Sequence, residues 1–474
     1  MAAVTAEELE VYVTDAGREI QRQAIQDYLD TRAATEQRAV DVVGADQIAR
    51  TRVERGHRRV LATSVGRVEA ERIAYRGPKV PNVHVADAEL DLPAHLYSRV
   101  PQRQIIHRAA ATSLHGVETC VREATGLSLG TRQIMEICRR AAADVPEFYS
   151  LPPEACANTD VLVLSCDATG INMIDSGLRE QVRAVAKATA ASGPRPPSAQ
   201  LADRTRTGRR RMATVTAVHD APAVTRRPAD VMPADAGERA ARNRQAPRAS
   251  RREVRASDTA PTAEMITGMF DLAEQRDPHH RRRRVVPVDG NNHQIERIEH
   301  EAMRRSVHTD IVIDFVHVLE YLWKAADDLH SSQVARQDFV ARAAREILEG
   351  KVRRVITDLR HAADAATSPG TRASGIERAA AYLTAKTDYL GYDIALTLGW
   401  PIATGVIEGC CRYLIKDRLD LTGARRSPPG AEAILLLRTV IDNGDFDAYW
   451  RSHGQREHER HHTTRYRREY SPAA

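Results

Sequence analysis

The sequence predicts an α/β fold with a long all-α insertion, preceded by a mainly helical N-terminal region with a short β-hairpin. Three observations carry that expectation. "DVLVLSCDATGINMI" (160–174), "RRVVPVDG" (283–290) and "DIVIDF" (310–315) are short apolar runs of strand character, and each reaches an aspartate: Asp167, Asp289 and Asp314. Helical patterns at 262–277 and 291–305 separate the later runs. From residue 318 to about 390 the pattern is helical and rich in Ala and Arg, with no strand signal.

The chain has 474 residues, room for two to four domains and a sizeable core. Hydrophobic residues are 42% and charged ones 28%, a soluble, globular balance without a run of about 18 apolar residues, so no membrane span is expected. The start, "MAAVTAEELEVYV", lacks a basic segment followed by an apolar one, so no secretory signal is expected. Cys120, Cys138, Cys156, Cys166, Cys410 and Cys411 form no C-x-x-C pair, which argues against a zinc knuckle or redox motif and suits a reducing cytoplasm. The net charge is +5, but residues 203–255 hold 14 Arg against 6 Asp or Glu. Such a basic patch points to a polyanionic partner; a solvated Arg-rich linker has the same composition.

In chain order, residues 5–35 read as a polar helix, and 58–75 as two strands around Gly66. The prolines up to residue 102 make that segment irregular. Val117, Cys120, Val121 and Ala124 share a helical face, which Gly126 can end. Thr131 can cap a second helix with Ile134, Ile137, Cys138 and Ala141 inside and Arg132, Gln133, Arg139 and Arg140 outside. Two short amphipathic helices around a tight turn are compatible with a helix-turn-helix; the plainer reading is an ordinary helical hairpin that packs a core. "RRMATVTAVHD" (210–220) reads as a strand pairing with the first, flanked by basic, mobile connections at 186–210 and 225–257. "GWPIATGVIEGCCRYLIKDRLDLTG" reads as a helix capped by Thr404. Gly409 inside it costs up to about 1 kcal/mol against Ala, which implies close packing or a functional reason. A last helix, 429–442, precedes a basic, His-rich tail.

Strand ends in α/β sheets collect functional sites. Carboxylates on adjacent strand ends bind hard cations, and two such cations can clamp the attacking and leaving oxygens of a phosphoryl transfer. Mg²⁺ suits that role. Glu408 is the candidate to complete the set, with Arg412 and Lys416 following at i+4 and i+8 on its face. Each feature has a plainer reading: a strand-end Asp as a helix cap, and Glu408, Arg412 and Lys416 as a surface ion-pair ladder.

In combination, "VLVLSCDATGINM", "RRMATVTAVHD", "VVPVDGNNHQ", "DIVIDFVHVLEYLWKAA" and "GWPIATGVIEGCCRYLIKDRLDLTGARRS" resemble DDE-type transposases of bacterial insertion sequences, in particular the ISKra family. Upstream, "VADAELDLPAHLYS" and "GLSLGTRQIMEICRRAAADVPEFY" resemble it too, so the likeness spans roughly residues 55–450. It implies a ribonuclease H-like catalytic core with a helical insertion before the final catalytic helix. It also implies Mg²⁺-dependent (or Mn²⁺-dependent) cutting and joining of double-stranded DNA, at terminal inverted repeats and target sites, by a dimer or larger assembly. In such cores the first acid lies on the first strand, the second at the end of the fourth, and a glutamate follows the insertion. Carried over, these are Asp167, Asp289 and Glu408, with Asp314 and His317 a separate signature pair beside the site. Arg426 stands where an aromatic residue is expected.

The implied organisation is an N-terminal region 1–102, an end-binding region 103–150, a core from 158 to 317, an insertion 318–398, the completed core 399–445 and the tail 446–474. Arg209, Arg210, Arg412, Lys416 and Arg418 are expected on DNA phosphates, together with Arg132, Gln133, Arg139 and Arg140 at the element ends. The competing expectations are another ribonuclease H-like nuclease such as a resolvase, and an inactive DNA-binding remnant. A zinc protein using "HGQREHERHH" is disfavoured, because those histidines lack a fixed scaffold and Cys partners.

Overall fold

The computed structural model describes residues 4–150, 160–178, 180, 182–184, 210–242, 245–365, 374–420 and 425–464. Most of the connection expected at 186–210 lies outside them, Arg209 included. The chain forms two units, one of Met1–Ser150 with Leu436–Ala474, the other of Leu151–Leu435.

The first unit opens with helix α1 (Ala6–Thr35), started by a reciprocal cap between Thr5 and Glu8. Strands β1 (Arg52–Thr63) and β2 (Gly66–Arg76) form the expected hairpin, longer at its open end. Helices α2 (Arg99–Ala111), α3 (Leu114–Thr125) and α4 (Thr131–Ala142) follow. Gly126 ends α3 with φ 70°, a left-handed turn that glycine adopts without a Cβ penalty. Val117, Val121, Ile134 and Ile137 are all buried at the helical spacing seen in the sequence, and Ile105 and Ile106 of α2, a helix the sequence did not lead us to expect, are buried too.

The second unit is built on a five-stranded sheet of β3 (Val161–Asn172), β4 (Arg210–Ala221), β5 (Ser250–Ser257), β6 (Arg284–Val288) and β7 (Asp310–Ile313), in the order β5-β4-β3-β6-β7. The pairs β3/β4 and β4/β5 are antiparallel, while β3/β6 and β6/β7 are parallel. Helices α5 (Thr262–Arg276) and α6 (Asn292–Arg304) connect β5 to β6 and β6 to β7. Strand β6 is buried throughout, as a central parallel strand requires.

The insertion is helical among the described residues: α7 (Phe315–Leu329), α8 (Gln333–Leu348), α9 (Val352–Ala365) and α10 (Ser374–Ala385), then a short turn of helix at Tyr392–Thr397. It shares one apolar core with the sheet through Val318, Leu322, Ala344, Ile347, Leu383 and Tyr392. Each large apolar side chain fully buried there contributes about 1.5–3 kcal/mol. Helices α11 (Gly405–Cys411) and α12 (Pro428–Asp442) follow.

Two expectations need correction. The segment 225–257 is not a mobile connection: it holds two short helices and the edge strand β5. Val254 and Ala256 point inward between arginines, and Arg255 pairs with Glu253 at 2.8 Å, so its charge is partly spent inside the fold. The C-terminal stretch is not a free tail either. Helix α13 (Phe446–His458) buries Tyr449 in the first unit, and its hydroxyl donates to the Ala141 carbonyl. No helix among the described residues is long and apolar enough to cross a membrane.

Candidate active site

Register places the acids. Leu162 and Val163 on β3 pair with Arg284 and Val285 on β6, and Val285 to Val288 pair with Asp310 to Ile313 on β7. Continuing each register sets Asp167 level with Asp289, and Asp289 level with Asp314. The row crosses three neighbouring strands. Strand β3 does not end at Asp167, contrary to expectation. Strand β4 pairs with it as far as Asn172, with Asp167 opposite Val215. The apolar run marks only the part covered on both faces, so it stops before the hydrogen-bonded strand does.

Asp289 stands just past β6, half-buried. Its Oδ1 accepts the Asn291 amide at 2.8 Å, a local turn, and Asn291 in turn caps α6 through the His293 and Gln294 amides. Between them Gly290 has φ 95°, and a Cβ there would lie 2.6 Å from the Tyr382 hydroxyl. The positive φ calls for glycine, and any Cβ would also have to displace the Tyr382 hydroxyl.

Asp314 is 1% exposed, and both of its oxygens accept hydrogen bonds. Its Oδ1 caps α7 by accepting the Val316 amide at 2.7 Å, and its Oδ2 accepts the Thr404 amide at 3.0 Å and the Thr404 hydroxyl. The same hydroxyl lies 3.1 Å from Glu408 Oε1. Thr404 precedes α11 as expected, but its side chain joins two carboxylates instead of capping the helix.

Glu408 is exposed one turn into α11. A Cβ on the neighbouring Gly409 would meet nothing within 4 Å, so close packing does not explain this glycine. It borders the cavity instead. Past Cys411 the helix continues as a π turn, Arg412–Lys416, a distortion often found at functional sites.

Asp167, Asp289, His317, Glu408, Arg412 and Lys416 line one pocket of about 500 Å³. Among the described residues, none of the three acids Asp167, Asp289 and Glu408 has an ion pair within 4.0 Å. Ligand atoms of Asp314, His317 and Glu408 approach within 4.8 Å of one another, a tighter group than the three acids form. Both oxygens of Asp314 already accept protein hydrogen bonds, so that group also acts as a brace, with His317 at its edge.

The sequence pointed to neither cysteine beside Asp167. Burial, then the charges of Asp167 and Asp289, push the Cys166 thiol up to about 12. Burial, the charge of Asp167 and a hydrogen bond to it raise Cys411 further. Both are protonated thiols, and Cys411 is a donor to Asp167, not a nucleophile. Its position three residues after Glu408, on the next turn, was the available signal.

The expected DNA contacts divide. In the first unit Arg132 and Arg139 are exposed. Gln133 is occupied: its Oε1 accepts the Gly130 amide at 3.0 Å and lies 3.4 Å from the Tyr97 hydroxyl. Arg140 pairs with Glu136 at 3.6 Å, and burial lowers its affinity for its proton. In the second unit Arg412 and Lys416 are exposed, and Arg210 pairs with Asp420 at 3.1 Å. Arg418 is only 3% exposed, so a phosphate contact is corrected to a buried structural position. Arg426 is partly buried, and its backbone bonds Asn172 and Ile174, extending the end of β3.

Comparisons with protein-family models and with curated proteins find no match for this chain.

Proposed function

We propose that this chain is a DNA transposase that cuts and joins strands by divalent-metal-dependent phosphoryl transfer on a ribonuclease H-like core. The observation that carries the reading is the convergence of Asp167, Asp289 and Glu408, from three distant segments, in one pocket with Arg412 and Lys416. The sheet supports it further. With β5 counted, Asp167 lies on the first strand of the sheet and Asp289 at the end of the fourth, the positions that the resemblance implies.

The donor set fits a hard cation. It consists of carboxylate oxygens, and no described residue donates a hydrogen bond to Asp289 Oδ2. Asp167, Asp289 and Glu408 would hold Mg²⁺ or Mn²⁺. When bound, such ions supply Lewis-acid stabilisation of the charge that builds on a phosphodiester under in-line attack. The chain's own residues do the positioning. The Asn291 amide fixes Asp289, the Cys411 thiol orients Asp167, and the Thr404 hydroxyl restrains Glu408. Arg412 and Lys416 attract DNA phosphates to the pocket rim. The pair α3 and α4, with Arg132 and Arg139 outward, is assigned to end recognition as a helix-turn-helix.

The test uses the full-length protein and labelled DNA from either side of its gene. Cleavage is expected with Mg²⁺ and not with EDTA. Asp167→Asn, Asp289→Asn and Glu408→Gln are each expected to abolish cleavage while leaving end binding intact. Cleavage by all three variants overturns the assignment.

A further inference from the structure

The histidines near the C-terminus do have a scaffold. Helix α13 continues past His458 as a π turn, Glu459–Thr463, inside the first unit. His458 and His462, four residues apart, face the loop that follows the short helix Val85–Glu89. There Asp91 Oδ1 lies 2.8 Å from His458 Nδ1 and 3.8 Å from His462 Nε2. One ligand atom from each residue falls within 4.8 Å of the others, and the two rings are 5.0 Å apart. In a tetrahedral zinc site, bonds of 2.0–2.1 Å place neighbouring ligand atoms about 3.3 Å apart. The observed spacings bracket that value.

We propose that Asp91, His458 and His462 form a binding site for a zinc-class transition-metal dication, which fastens the C-terminal helix to the N-terminal segment. Two imidazoles and one carboxylate are a borderline-soft donor set that favours zinc over Mg²⁺. The second Asp91 oxygen pairs with Arg99 at 3.2 Å, which orients the carboxylate from outside. His458 and Asp91 are each 42% exposed, which gives an ion access and leaves room for water as a fourth ligand. Asp91 holds this position with φ 46°, a left-handed backbone that aspartate tolerates better than most residues. His462 also lies 2.9 Å from the Leu92 carbonyl, so metal binding exchanges that hydrogen bond for a coordinate bond.

The site is independent of the acids in the second unit, and the experiment separates them. EDTA-treated full-length protein is dialysed against Zn²⁺, with Co²⁺ absorption reporting the coordination. Wild type, Asp289→Asn and the neighbouring His461→Ala are expected to bind alike. His458→Ala and Asp91→Asn, with circular dichroism unchanged, are expected to bind at least about tenfold more weakly, the scale on which even outer partners of a ligand act. Zn²⁺ should raise the thermal midpoint of wild type and not of those two variants. Absence of uptake by wild type overturns the proposal. So does unchanged uptake by folded His458→Ala and Asp91→Asn, or loss of uptake in Asp289→Asn.

Discussion

One hydroxyl hydrogen on Thr404 serves two carboxylates, Asp314 and Glu408. Thr404→Val removes it and leaves a buried acceptor on Asp314 short of a donor, which costs about 1–3 kcal/mol. Thr404→Ser keeps the hydroxyl and should recover most of that stability and most of the cleavage rate. Denaturant unfolding alongside a cleavage assay checks both. A graded series is expected around it: Asp289→Asn ends cleavage, and His317→Ala reduces it less. Asp314→Asn should act mainly on stability, since its oxygens bond protein donors. If Asp314→Asn ends cleavage while folding stays intact, Asp314 belongs with the metal-binding acids. At this scale Asp289 and Glu408 were legible because polar residues break sharp apolar patterns. Arg418 was misread because the π turn before it shifts the helix phase, and its arginine faces inward.

Besides α2, for which no helix was expected, β5 and α13 were hidden in the sequence. Their arginines and histidines look solvated in composition, yet partners from other elements pair with them. The buried pair of Arg282 before β6 and Asp220 at the end of β4, 2.6 Å apart, shows the cost of such pairing. Arg282→Ala leaves buried Asp220 with only the longer ion pair to Arg251, at 3.8 Å, and should destabilise the second unit by about 3 kcal/mol in chemical denaturation. In α13, His453 Nδ1 lies 2.6 Å from Asp144, which Arg460 also reaches. Burial alone would raise the Asp144 carboxyl, but the hydrogen bonds from His453 and Arg460 outweigh it and hold it at about 2. Its folded value is thus below the unfolded one, about 3.9. The stability from this clasp is fully present above about pH 4 and is lost as the pH falls through 2. Thermal midpoints of wild type and Asp144→Asn should therefore differ at pH 5 and converge as the solution is acidified. A constant gap contradicts the clasp.

For the molecule as a whole, the division at residues 150 and 435 makes the first unit a composite of both ends of the chain. Deleting residues 446–474 removes Tyr449 from that unit's core and the partners of Asp144, and should unfold it while the second unit keeps a cooperative transition in calorimetry. The order of elements was legible because strand, helix and insertion follow different periods. The pairing of the chain's ends was not, because it depends on contacts more than 300 residues apart, such as Tyr449 with Ala141.

The most direct measurement is joining of a labelled, pre-cut end carrying a 3′-hydroxyl to a supercoiled plasmid in Mg²⁺. The expected result is joined product with wild type and none with Asp289→Asn. Nicking without joining, or equal joining by both proteins, contradicts a transposase whose chemistry runs through Asp167, Asp289 and Glu408.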